Sequence, residues 1–122
     1  VLHPECSFLD ESLAERIAAR AIQSDSSLRG IYLTSAGREG VYRAVNAGAD
    51  KRAEKIHVVV HDITDGNVRM VKAGTVDFII GQDVKTQGTL PIRLLYDYLE
   101  RHQFPKERMN MTDITIKFRG NV

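Results

Sequence analysis

The sequence of 122 residues holds a single cysteine, Cys6, no block of one charge sign and no long apolar run. One cysteine excludes an internal disulfide framework and fits a reducing, cytoplasmic compartment, although a secreted protein without disulfides carries the same signature. Lysine and arginine number 17 against 16 acidic residues, evenly mixed, which excludes a basic nucleic-acid arm or a polybasic membrane patch. No stretch approaches the roughly 18 apolar residues of a membrane span, and no basic-then-apolar leader opens the chain. The expectation is a soluble protein with no membrane partner. Repeats and low-complexity tracts are absent too. The length suits one domain with a real core. The opening "VLHP" reads as the tail of a strand that began earlier, so residues 1–122 are expected to be one lobe of a longer protein.

What is present alternates in kind. "SFLDESLAERIAARAIQ" spaces Leu9, Leu13, Ile17 and Ala21 four apart, and Ser12 with Glu15 has capping-box spacing, so a helix is expected over about 9–23. "GIYLTS" (30–35) reads as a strand, followed by a helix from Arg38 to about Ala47 that Gly48 ends. "IHVVVHD" (56–62) is a second strand, "DGNVRMVKAG" a short helix closed by Gly74, and "VDFIIGQ" (76–82) a third strand. "IRLLYDYLERH" carries Ile92, Leu95, Tyr96 and Leu99 at helical spacing, with Pro91 expected to start or kink that helix, and "ITIKF" (114–118) is a late strand. Strands that alternate with helices predict parallel pairing, and continuous apolar strands predict a sheet covered by helices on both faces. The fold class is doubly wound, mainly parallel α/β.

In such sheets ligands sit beyond the carboxyl ends of the strands. The three best strands end in Ser35, Asp62 and Gln82. A hydroxyl, a carboxylate and a carboxamide at one sheet edge suit a polyhydroxylated ligand, because the carboxylate accepts from hydroxyls while the other two donate and accept. The plain alternative is that strand ends are polar and that these side chains serve only the following loops. Thr64 and Asp65 are better placed to cap the next helix, which leaves Asp62 without a structural task.

Catalytic patterns fail. "LTSAG" has Leu33 where a nucleophile elbow needs glycine. "SAGREG" is neither a dinucleotide fingerprint nor a phosphate loop. His57 and His61 share one strand face while Asp62 points to the other, which argues against a metal site. Cys6 lacks a second cysteine or a basic cluster and reads as a small buried hydrophobe. Tyr96 and Tyr98 read as packing residues. No catalysis, metal or cofactor is expected.

"LRGIYLTSAGREGVYRAVNAG", "VVVHDIT", "VKAGTVDFIIGQDVKTQGTLPIRLLYDYL" and "TDITIKF" together resemble the ligand-binding region of LacI/GalR-type transcriptional regulators, which is similar to type I periplasmic sugar-binding proteins. The resemblance runs from about Cys6 onward and matches the carboxyl-terminal lobe of that fold. It implies that Asp62 and Gln82 bind ligand hydroxyls. Ser35 departs from the Asn or Asp common at its position. Phe8 stands where several relatives stack an aromatic ring on a sugar, although a core role fits it equally. An aromatic face can take the C–H face of a sugar ring.

The resemblance further implies that residues 84–104 form a helix crossing to the other lobe. Without that lobe, the stripe Ile92-Leu95-Tyr96-Leu99 is expected to pack back on this sheet or on a second copy. It also implies a cytoplasmic homodimer whose small-molecule effector, a sugar or sugar derivative, shifts the lobes. Operator DNA would be bound only by an upstream domain absent from this chain. The alternative is a periplasmic sugar-binding protein of an ABC transporter.

Overall fold

Short runs rich in β-branched and other apolar residues form the strands, and each of the first three is followed by a helix that a polar cap or a tight turn begins. The computed structural model describes residues 4–49 and 53–122; the strand tail read in residues 1–3 lies outside the described residues. In chain order the elements are α1 (Glu11–Ser24), β1 (Gly30–Leu33), α2 (Arg38–Ala49), β2 (His57–His61), α3 (Asp65–Ala73), β3 (Phe78–Gln82), α4 (Val84–Arg101) and β4 (Ile114–Lys117). The strands lie in the order β1-β2-β3-β4. The first three are parallel, with Leu33 opposite Val60 and Val60 opposite Ile79, and β4 runs antiparallel to β3, with Ile80 opposite Ile116. The fold is the expected α/β arrangement on a mostly parallel sheet.

Alternation along the strands decides which side chains meet the helices. Val58, Val60 and Ile79 are fully buried and join Ala14, Ala18 and Ile22 of α1, Val41, Tyr42 and Val45 of α2, and Val71 of α3 in one core. Tyr32, Phe78, Ile116 and Phe118 occupy the opposite sheet face and stay largely exposed. The rings of Phe78 and Phe118 meet there at 6.4 Å. Among the described residues the core thus gathers under one face of the sheet, and the expected cover of helices on the second face is not found there, because α1, α2 and α3 all pack on the Val58-Val60-Ile79 side while α4 buries nothing.

Three local expectations change. Helix α1 is capped by Asp10, whose carboxylate accepts from the Leu13 N–H at 2.7 Å, so Ser12 falls inside the first turn and forms no capping box. Its deeply buried positions are Ala14, Ala18 and Ile22, one step round from the Leu9-Leu13-Ile17-Ala21 stripe. Close approach to α2 is the reason. A Cβ on Gly40 would fall 1.9 Å from the Glu11 carbonyl oxygen, so small residues face the crossing and the larger ones are pushed aside. Pro91 neither starts nor ends α4, which begins at Val84 under an Asp83 cap that accepts from the Thr86 N–H at 3.0 Å. The bond that Pro91 forfeits lies on an exposed helix, where water can satisfy the freed carbonyl.

The apolar stripe of α4 does not pack back on the sheet. Ile92, Leu95, Tyr96 and Leu99 are each more than half exposed, and the helix buries no residue. Beyond it Tyr98 and Phe104 pair edge to face at 5.0 Å, and the Arg101 guanidinium lies over the Tyr96 ring at 5.6 Å.

Candidate functional site

Parallel pairing brings the carboxyl ends of β1, β2 and β3 to one rim. Leu33 pairs with Val60, so Ser35 and Asp62 stand two residues beyond one rung on neighbouring strands. Val60 pairs in turn with Ile79, and the Asp62 N–H donates to the Ile80 carbonyl at 3.0 Å, so Gly81 is level with Asp62 and Gln82 stands one residue further out on the third strand. Adjacent strands lie about 4.8 Å apart. The hydroxyl, the carboxylate and the carboxamide therefore follow one another along a single edge.

Phe8 comes to the same rim from the other side. A Cβ on Gly37 would meet Ser7 Oγ at 3.2 Å and the Asp10 carbonyl at 3.5 Å, so the turn before α1 lies against the loop that follows Ser35. Phe8 is 80% exposed, which removes the core reading, and Cys6 just before it is exposed as well, against its reading as a buried hydrophobe. Both Phe8 and Leu9 have positive φ, 50° and 67°. Non-glycine residues in this region are uncommon and gather where a fold holds a site in shape.

Asp62 also has positive φ, 71°. Two sets of hydrogen bonds hold it there. The Asn67 amide nitrogen donates to the His61 carbonyl at 2.9 Å and to the Asp62 carbonyl at 2.8 Å. Asn67 is itself buried and accepts from the Tyr42 hydroxyl at 2.7 Å. Burial pushes the Tyr42 phenol up to about 12, with Arg38 working against the shift and Glu39 with it, so the hydroxyl keeps its proton and its role as donor. The Asp62 side chain is fixed separately: Arg38 Nη2 donates to Oδ2 at 2.6 Å. Arg38 Nε is buried without a partner among the described residues.

Gln82 Oε1 accepts from the Gln87 amide at 3.2 Å, and the same amide nitrogen donates to Thr112 Oγ1 at 3.2 Å. That links the rim to the first turn of α4 and to the segment entering β4. Tyr32 and His61 hydrogen-bond across β1 and β2 on the exposed sheet face. His57 lies at the far end of β2, where its Nδ1 is 3.4 Å from Asp77. No group of three or more potential metal ligands occurs among the described residues, and no helix among them is long and apolar enough to cross a membrane.

Sequence reasoning found the rim and missed what shapes it. Arg38 and Asn67 reach the Asp62 turn from 24 and 5 residues away, and Tyr42 reaches Asn67 across 25. One signal was available: a cation in the first turn of a helix opposes the helix dipole, so Arg38 needs a partner from elsewhere. The rim is a wall; hollows of about 750, 550 and 280 Å³ lie along the outer edge of β1, between α1 and α2, and beneath the start of β2.

No curated protein matches the sequence. Solved structures with the same fold do. An ABC transporter solute-binding protein from Agrobacterium vitis with bound D-fucose superposes with a TM-score of 0.81 at 19% identity, covering 98% of this chain and 40% of that one. GanP, a glucose-galactose binding protein from Geobacillus stearothermophilus, gives 0.80 at 16% identity over 95% of this chain and 40% of its own. The XylFII-LytSN complex gives 0.81 at 19% identity over 100% and 42%. The chain thus spans about two fifths of these proteins' length. A model of the periplasmic binding protein domain matches residues 3–103, and with most of its length so matched the chain belongs to that family.

Proposed function

We propose that this chain forms one wall of the sugar site in a solute-binding protein that serves an ABC transporter. The observation that carries the reading is the rim itself: Ser35, Asp62 and Gln82 end three adjacent parallel strands, and Asp62 is held in a left-handed conformation by Asn67. Proteins of the same fold are described with D-fucose, α-D-tagatopyranose and D-arabinose bound, which supports a neutral monosaccharide as the ligand class. In this reading Asp62 accepts from sugar hydroxyls, Gln82 and Ser35 both donate and accept, and Phe8 covers a C–H face of the ring. The chemistry is reversible binding, with no bond made or broken in the sugar.

An open wall needs a second one. In the same reading α4, which buries none of its own residues, is the segment that crosses to a further lobe, and closure of two lobes over the sugar completes the site. This reading also puts the protein outside the cytoplasm. The regulator that the sequence resembles would share the pocket, but its operator DNA, its homodimer and its cytoplasmic address draw no support from neighbours described as transporter solute-binding proteins. The reading frame upstream of Val1 separates the two: a leader peptide fits the transporter component, a helix-turn-helix fits the regulator.

Calorimetry on the full-length protein tests the site. With a monosaccharide that binds the unaltered protein, Asp62→Ala and Gln82→Ala are each expected to weaken affinity by about 1–3 kcal/mol, the range for leaving a buried polar partner unpaired. Unchanged affinity in both variants removes the assignment.

A further inference from the structure

Arg38 is used only in part by the fold. Its side chain keeps 19% of its surface exposed at the rim, and Nη2 spends one hydrogen bond on Asp62 Oδ2. Nε is buried with no acceptor, and no other Arg38 hydrogen bond occurs among the described residues. A guanidinium placed for stability alone would be expected to satisfy its buried donor and to avoid the first turn of a helix, where the dipole repels it. Arg38 does neither. The ion pair also commits one oxygen of Asp62 and leaves Asp62 Oδ1 and Arg38 Nη1, which unlike Nε is not buried, without protein partners among the described residues, so a donor and an acceptor stand side by side at the strand end.

The surrounding charge limits what such a pair can take. Every helix that starts at this rim brings a carboxylate: Asp10 caps α1, Glu39 lies in the first turn of α2, Asp65 in that of α3, and Asp83 caps α4. With Asp62 these five outnumber the cations Arg38, Lys85 and Arg69, whose Nη2 lies beside Gly66 at the start of α3. A sugar acid or sugar phosphate would enter a field of its own sign.

We infer that Arg38 is a specificity-determining residue of the site, donating to one hydroxyl oxygen of an uncharged sugar while the free oxygen of Asp62 accepts from the adjacent hydroxyl. The inference rests on the sugar-binding reading above and adds a residue and a ligand charge to it. A bidentate arrangement of this kind selects a vicinal pair of hydroxyls, because donor and acceptor are fixed relative to each other by their own hydrogen bond.

The test uses the full-length protein, titrated with D-galactose, D-fucose, D-arabinose and D-tagatose, with D-galacturonate as the charged probe. The tightest neutral binder and its monodeoxy analogues are then measured on the unaltered protein and on R38A, R38K and D62N. Expected are a 10- to 100-fold loss in R38A, partial recovery in R38K, and an unchanged melting temperature without sugar. One deoxy position should lose its penalty in R38A, and a neighbouring position should lose it in D62N. Silencing of the same position in both variants would mean that Arg38 acts only through Asp62, and the contact falls. Normal binding by R38A together with loss in D62N overturns the role of Arg38 and leaves the site. Tighter binding of galacturonate overturns the ligand charge, and failure of every neutral sugar to bind the unaltered protein takes the inference down with the reading beneath it.

Discussion

Helices α1 and α4 are similarly amphipathic in sequence, yet one is knitted into the core and the other buries nothing. In α1 the residues Ala14, Ala18 and Ile22 are buried against α2 and the sheet. In α4 the stripe Ile92-Leu95-Tyr96-Leu99 stays exposed, as do Ile114 and Ile116 on the strand that follows. The contrast shows what an apolar period can and cannot say. It states that a helix has a face to cover, and it does not state that the cover lies within the same stretch of chain. Up to Gln82 the chain supplies its own partners; from Asp83 onward it mostly does not.

That contrast can be broken by mutation. The largest effect is expected at Ile79, which is fully buried between the sheet and the helices: Ile79→Ala should lower unfolding free energy by about 2–5 kcal/mol in urea melts. Next comes the α1–α2 crossing, where Gly40→Ala forces the two backbones apart and should cost about 1–3 kcal/mol by the same measurement. A smaller, pH-dependent effect belongs to Asp77. Burial alone would raise its carboxyl, but hydrogen bonds from Lys55, the Val58 N–H and His57 outweigh burial, and the net shift is downward. Because the folded value lies below the unfolded one, this contribution is present above about pH 4 and is lost as pH falls through the folded value. Asp77→Asn should therefore flatten the acid side of a stability profile measured between pH 6 and about pH 2. Least of all should follow from Leu95→Ser, within about 0.5 kcal/mol, since a side chain that is 57% exposed has little contact to lose. A loss of several kcal/mol there would mean that α4 is covered in solution and would erase the contrast.

The sequence announced the elements well because their signals are local. Apolar runs marked β2 and β3, Gly74 closed α3 with a φ of 85°, and polar strand ends marked the rim. It announced the cap of α1 less well. Asp10 and Ser12 both lie at the start of the helix, and only backbone geometry shows which side chain meets the free N–H groups. Phe8 was ambiguous for a related reason: an aromatic before a helix reads alike whether it turns inward or outward, and its positive φ has no sequence signature. The supports of the site were silent. Arg38 meets Asp62 and Tyr42 meets Asn67 through the fold, and nothing in the period of either helix marks those pairs.

One consequence follows from the backbone at Asp62. Its φ of 71° is a value that glycine adopts freely and that most other residues resist. Local conformation would thus be served at least as well by glycine, and Asp62→Gly should leave a protein that folds as readily as the original while losing the sugar binding proposed for it. On the proposed reading the aspartate is explained by a hydroxyl that reaches it from outside the chain, and the loop that carries it is shaped for a guest before its own comfort.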